Sequence, residues 1–63
     1  MNISEIDLWV SIEQILTSDE FWIFEMRYRG HMAQKHIAEE TGLSQSAISN
    51  RLMRIKEKIG RLL

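Results

Sequence analysis

The stretch Gln34 to Met53, QKHIAEETGLSQSAISNRLM, decides how this chain folds. It has the form of two short helices joined by a glycine turn. Ile37 and Ala38 share one face of the first helix, Gly42 breaks the pattern, Leu43 offers an apolar plug and Ser44 restarts the chain. A helix ending at Thr41 needs a left-handed backbone just past its end, which glycine adopts without a Cβ clash. Gly42 is expected in that conformation. Ser44 has a short hydroxyl able to accept from a free N–H in the next first turn, so the second helix is expected to begin at Gln45.

Two helices that cross steeply and closely cannot both present long side chains at the crossing. Ala38 and Ala47 leave the room, and Ile37, Leu43, Ile48 and Leu52 supply apolar contacts that fix the angle. Gln45, Ser46, Ser49, Asn50 and Met53 are left pointing away. A rigid pair of this kind is a helix-turn-helix, whose second helix enters the DNA major groove with its N-terminal residues at the base edges.

The segment resembles the helix-turn-helix family position by position, with Ala38, Gly42, Leu43 and Ile48 at the family's small, glycine and aliphatic places. The run QSAI from Gln45 to Ile48 is similar to that of phage Cro-type repressors. A second resemblance covers about three quarters of the chain, from Leu16 to Leu63. It looks like region 4 of bacterial sigma factors and the related LuxR-type output domains. The shared pattern is a "LT..E" start, an aromatic-rich helix ending in Arg-Tyr, an "IAE..GLS" turn and an "IS.RL.R...K" helix. It is met at Leu16, Thr17, Glu20, Arg27, Tyr28, Ile37, Ala38, Glu39, Gly42, Leu43, Ser44, Ile48, Ser49, Arg51, Leu52, Arg54 and Lys58. The resemblance implies an all-α, four-helix DNA-binding domain.

With 63 residues there is room for one small domain, residues 1–63, and no second. A core of this size rarely contributes more than roughly 3 to 5 kcal/mol unaided, so help from a partner is expected. The absence of cysteine excludes disulfides and thiolate metal sites and fits a reducing compartment. Proline is absent too, and strong helix formers dominate, which favours helices throughout. No apolar run is long enough to span a membrane, and the N-terminus lacks the marks of a signal peptide. A cytoplasmic protein is expected.

The net charge is −1, but it is unevenly placed. Residues 1–32 carry six acidic and two basic side chains, and residues 33–63 carry three acidic and six basic. One basic and one acidic end would orient the molecule on DNA. A solvated helix face, with its last-turn cations favoured by the helix dipole, would give a similar pattern.

The first helix is expected over about residues 3–16, capped by Asn2 or Ser4. Ser4, Asp7, Ser11 and Gln14 form one narrow polar stripe, while Ile6, Leu8, Trp9, Val10, Ile12, Ile15 and Leu16 cover most of the rest. So wide an apolar face must be covered, either deep between the second and fourth helices or by a second copy. Thr17 with Glu20 forms a capping box, stapled by Leu16 and Phe21, and Asp19 adds charge at the positive end of the dipole. The second helix then runs over 18–29, and Gly30 ends it.

Phe21 and Trp22 stand where the sigma-like pattern has polar residues. With Ile23, Phe24 and Met26 available to the core, at least one of the two is expected to be partly exposed, as a contact surface or as the edge of a fat core. Trp9, Phe21 and Trp22 are therefore the candidate protein interface. The third helix is expected over 33–41. Family members often carry a serine cap at the place of Ala33 and an acid at that of His36, so Arg51 is left without its usual carboxylate and is free to reach a phosphate. The fourth helix is expected over 45–62, with Ile48, Leu52, Ile55, Ile59 and Leu62 as a single seam. Its second half would pack under the first helix or pair with another copy.

The functional expectation is a sequence-selective DNA-binding transcription regulator, acting as a homodimer. Gln45, Ser46, Ser49 and Asn50 suit base edges, and Lys35, Ser44, Arg51, Arg54 and Lys56 suit phosphates. Met53 would touch a thymine methyl or simply face solvent. The alternative is a protein-interaction module that binds RNA polymerase or another regulator. Neither cofactor nor metal is expected, since His36, Glu39 and Glu40 lack further ligands. No enzyme or small-molecule substrate is expected either, because no nucleophile and base are suitably arranged.

Overall fold

The computed structural model describes residues 4–62, which form helices and connecting turns. α1 spans Glu5–Ile15, α2 Ser18–Phe24, α3 Gln34–Thr41 and α4 Gln45–Leu62, and a π-helical segment, Glu25–Arg29, continues α2. Asn2, one of the two candidate caps, and Leu63 lie outside the described residues. Ser4 caps α1, its hydroxyl accepting from the Asp7 N–H at 3.1 Å. Leu16 is already extended and buried, so α1 stops one residue short of the expected end.

The capping box at the start of α2 is present in full. The Thr17 hydroxyl accepts from the Glu20 N–H at 3.2 Å, and the Glu20 carboxylate accepts from the Thr17 N–H at 2.9 Å. Leu16 and Phe21, on either side of it, both join the core.

The end of this helix differs from expectation. From Glu25 the backbone widens into a π turn, with the Gly30 N–H reaching the Glu25 carbonyl at 2.9 Å. Gly30 is not left-handed, having φ −84°, and the positive φ falls on His31 at 51°. Glycine is needed at 30 because a Cβ there would stand 2.8 Å from the Met26 carbonyl oxygen. The wide turn folds the chain back on itself. The Met32 N–H reaches the Met26 carbonyl at 3.1 Å, and the Arg27 guanidinium donates to the Met32 carbonyl at 2.9 Å.

Ile12, Leu16, Ile23, Phe24, Ile37, Ala38, Ile48, Leu52 and Ile55 make the buried core, and α4 packs on α1, α2 and α3. α1 is not sunk between its neighbours. Its inner edge reaches the core through Ile12, whereas Ile6 and Val10 remain 77% and 44% exposed. Trp22 is the exposed member of the aromatic pair, at 50%, while Phe21 packs against the core beside Trp9 and Phe24. No helix among the described residues is long and apolar enough to cross a membrane.

Two glycines thus meet different demands. Gly42→Ala is expected to cost about 1–2 kcal/mol by holding a Cβ in the left-handed region. Gly30→Ala is expected to destabilise by pushing the π turn off the Met26 carbonyl. Urea unfolding followed by circular dichroism measures both, and wild-type midpoints for the two variants would contradict these assignments.

Candidate nucleic-acid interface

The turn that aims α4 is built as expected and carries one addition. Gly42 adopts φ 74°, and its N–H reaches the Ala38 carbonyl at 2.9 Å. The Thr41 hydroxyl donates to the Ile37 carbonyl at 2.8 Å and accepts from the Leu43 N–H at 3.3 Å, closing the turn from inside. That role for Thr41 was not read from the sequence. Ser44 then caps α4, its hydroxyl accepting from the Ala47 N–H at 3.1 Å.

Because each residue advances about 100° around the helix, burial of Ile48, Leu52 and Ile55 fixes what α4 shows outside. Ser46, Asn50 and Met53 lie on the opposite face, Ser49 sits at its edge, and Gln45, in the first turn, falls nearer the buried stripe. All five are exposed, Met53 by 57%. Arg54 and Lys56 are exposed on opposite flanks of this face. Lys35 is exposed in the first turn of α3, whose N-cap, Ala33, offers no side-chain hydrogen bond.

Arg51 is half-buried rather than free-standing. It borders a hollow of about 170 Å³ with Asp19, Trp22, Thr41 and Leu43, yet has no carboxylate within 4.0 Å among the described residues. On its other side opens a polar groove shared with Arg54, Lys58 and Arg61. Trp22 forms part of the hollow's wall, whereas Trp9 lies over on the α1 side, with the Arg29 guanidinium 5.2 Å from its ring centre. The three aromatics of the expected interface therefore do not form one surface.

Lys58 has a partner that the sequence reading missed. Its ammonium lies 2.6 Å from the Glu20 carboxylate, which is 7% exposed, so the side chain that caps α2 also clamps α4. The signal was available, since Glu20 and Lys58 both belong to the pattern quoted above. Burial alone would raise the Glu20 carboxyl. The hydrogen bond and charge of Lys58, with hydrogen bonds at Thr17, outweigh it and hold the group below its ordinary value.

These features place a capped helix with a polar outer face on a braced turn. The sequence pattern that describes Sigma-70, region 4 matches residues 14–59. The chain belongs to the sigma-70 region 4 family. Members of this family are helix-turn-helix domains with a DNA-binding, transcription-related role, and the match runs from the end of α1 to the last turns of α4. No curated protein and no solved structure matches the chain.

The clamp has a pH signature. A carboxyl whose folded value is lowered stabilises the fold above its unfolded value, and that stabilisation disappears as pH falls through the folded value. Thermal melts across the acid range are expected to show Glu20→Gln, whose amide oxygen preserves the cap, with a flatter decline than wild type. Parallel curves would show that the pair with Lys58 contributes nothing.

Proposed function

We propose that this domain is a cytoplasmic, sequence-selective DNA-binding transcription regulator that inserts the first half of α4 into the major groove and acts as a homodimer. The observation that carries this reading is the exposed outer face of α4, held at a fixed angle by the Gly42 turn and the buried Ile48–Leu52–Ile55 stripe. Gln45 and Asn50 bring amides suited to bidentate adenine contacts, and Ser46 and Ser49 bring hydroxyls that pair with several bases. Met53 stands where a thymine methyl would pass.

Arg54 and Lys56, one on each flank, take phosphates from the two walls of the groove, and Lys35, Ser44 and Arg51 add contacts near the turn. The uncapped first turn of α3 supplies N–H donors beside Lys35. A single module of this kind makes few contacts. Two copies reading half-sites about one DNA turn apart supply the rest.

Trp22 favours a second reading, in which the domain docks on RNA polymerase or another regulator. A half-exposed tryptophan beside a hollow is the type of anchor that dominates protein interfaces. The two readings separate on random-sequence DNA. Four cations per copy at phosphates give a slope of log affinity against log salt of about −3 to −4. Arg54→Ala is expected to reduce its magnitude by about 1 without altering sequence preference, read by fluorescence anisotropy. Absence of binding even at low salt would overturn the DNA reading and leave the docking one.

A further inference from the structure

We propose that the α1 side of the molecule is the surface through which two copies of this chain pair, with α1 of each copy laid in a groove of the other. This rests on the homodimer reading above and names the contact. Ile6 and Val10 are one helical turn apart on the same face of α1, both exposed, and Tyr28 beside them is 41% exposed. Two hollows meet at Tyr28. One, of about 500 Å³, is lined by Ile6, Trp9, Val10 and Arg29. The other, of about 360 Å³, lies between Ile12, Phe24, Ile59 and Gly60, with Lys56 at its edge. Together they make an apolar groove running from α1 past the π segment to the end of α4.

Two features point to the occupant. Gly60 sits in the last turn of α4, where glycine is still a poorer helix former than alanine. Apart from its chain neighbours and its own helix backbone, nothing among the described residues comes within 4 Å of the place its Cβ would take. The fold itself has no use for a glycine there, whereas a second helix lying across this wall does, because it can approach the backbone. The second feature is charge. α1 carries Glu5, Asp7 and Glu13 and no basic residue; Glu5 lines the α1 wall of the groove, and the charges on its far side are Arg29 and Lys56. An acidic helix with apolar knobs fits an apolar groove whose far side is basic, and this chain holds both halves. In a two-fold contact each copy supplies the same patch, so the match is made twice.

Pairing here leaves the base-reading part of α4 open, with Lys56 at the border between the two surfaces. Gly60 lies ten residues beyond Asn50, about 15 Å along the helix axis. The contact and the proposed base-reading residues therefore occupy different stretches of one helix.

Sedimentation velocity of the full chain at low and high micromolar concentration tests the proposal, with Val10→Glu, Gly60→Leu and Trp22→Glu as variants. Wild type and Trp22→Glu are expected to dimerise alike. Val10→Glu and Gly60→Leu are expected to weaken pairing by about tenfold or more, as loss of a well-packed interface contact does. Gly60→Leu places a strong helix former in open space, so its thermal melt should be no lower than wild type at a concentration where both are monomeric, which separates lost pairing from lost folding. A dimer that both variants leave intact would overturn this surface while sparing the homodimer reading. A wild-type chain that stays monomeric at the higher concentration would overturn both.

Discussion

An α-helix can turn only one stripe inward, and in α4 that stripe belongs to Ile48, Leu52 and Ile55. Ile48 and Ile55 are wholly buried, as are Ile23 from α2 and Ile37 from α3, so the stripe is gripped from two sides. A one-residue roll would swing the helix by about 100° and drive polar side chains into the core. What α4 shows to the outside is therefore set by what it buries. The remaining devices of the fold maintain that choice. Ala38 is buried where α3 and α4 pack, the left-handed Gly42 reverses the chain, and Thr41 satisfies backbone groups that the turn would otherwise leave unpaired.

The second half of α4 is held differently. Glu20 completes the capping box of α2 and binds Lys58, so one carboxylate joins the start of one helix to the far end of another. A buried carboxylate is costly unless paired and hydrogen-bonded, and this one has both kinds of partner. The π segment serves the same arrangement from the other end of α2. By taking in an extra residue it turns the chain into the short connection at residues 30–33 that leads to α3, and Arg27 braces this corner, where His31 has a positive φ, by donating to the Met32 carbonyl.

Much of this was legible in the sequence because local chemistry and global packing agree. Thr17 with Glu20, Gly42, Ser44 and the Ile48–Leu52–Ile55 spacing each specify one structure, and each appears as specified. The end of α2 was not legible. A glycine after a helix ordinarily marks a left-handed terminator, but Gly30 is present for a close approach to Met26 that depends on the π turn itself. Periodicity cannot reveal a single inserted residue. The Glu20–Lys58 pair was half legible: both residues belong to the family pattern, but a contact across 38 positions leaves no local trace that joins them. Exposure on α1 was likewise undecidable from a helical wheel, which shows how wide an apolar face is and not how much of it the neighbouring helices reach.

The central claim is that the buried stripe of α4 leaves its opposite face free to meet DNA. Backbone amide chemical shifts of nitrogen-labelled protein, followed during titration with duplex DNA, test it residue by residue. The account predicts that the largest shifts fall from Gln45 to Asn50 and around Lys35, with Ile6, Val10 and Trp22 little changed. Shifts confined to α1 and Trp22, with Gln45, Ser46, Ser49 and Asn50 unmoved, would contradict it.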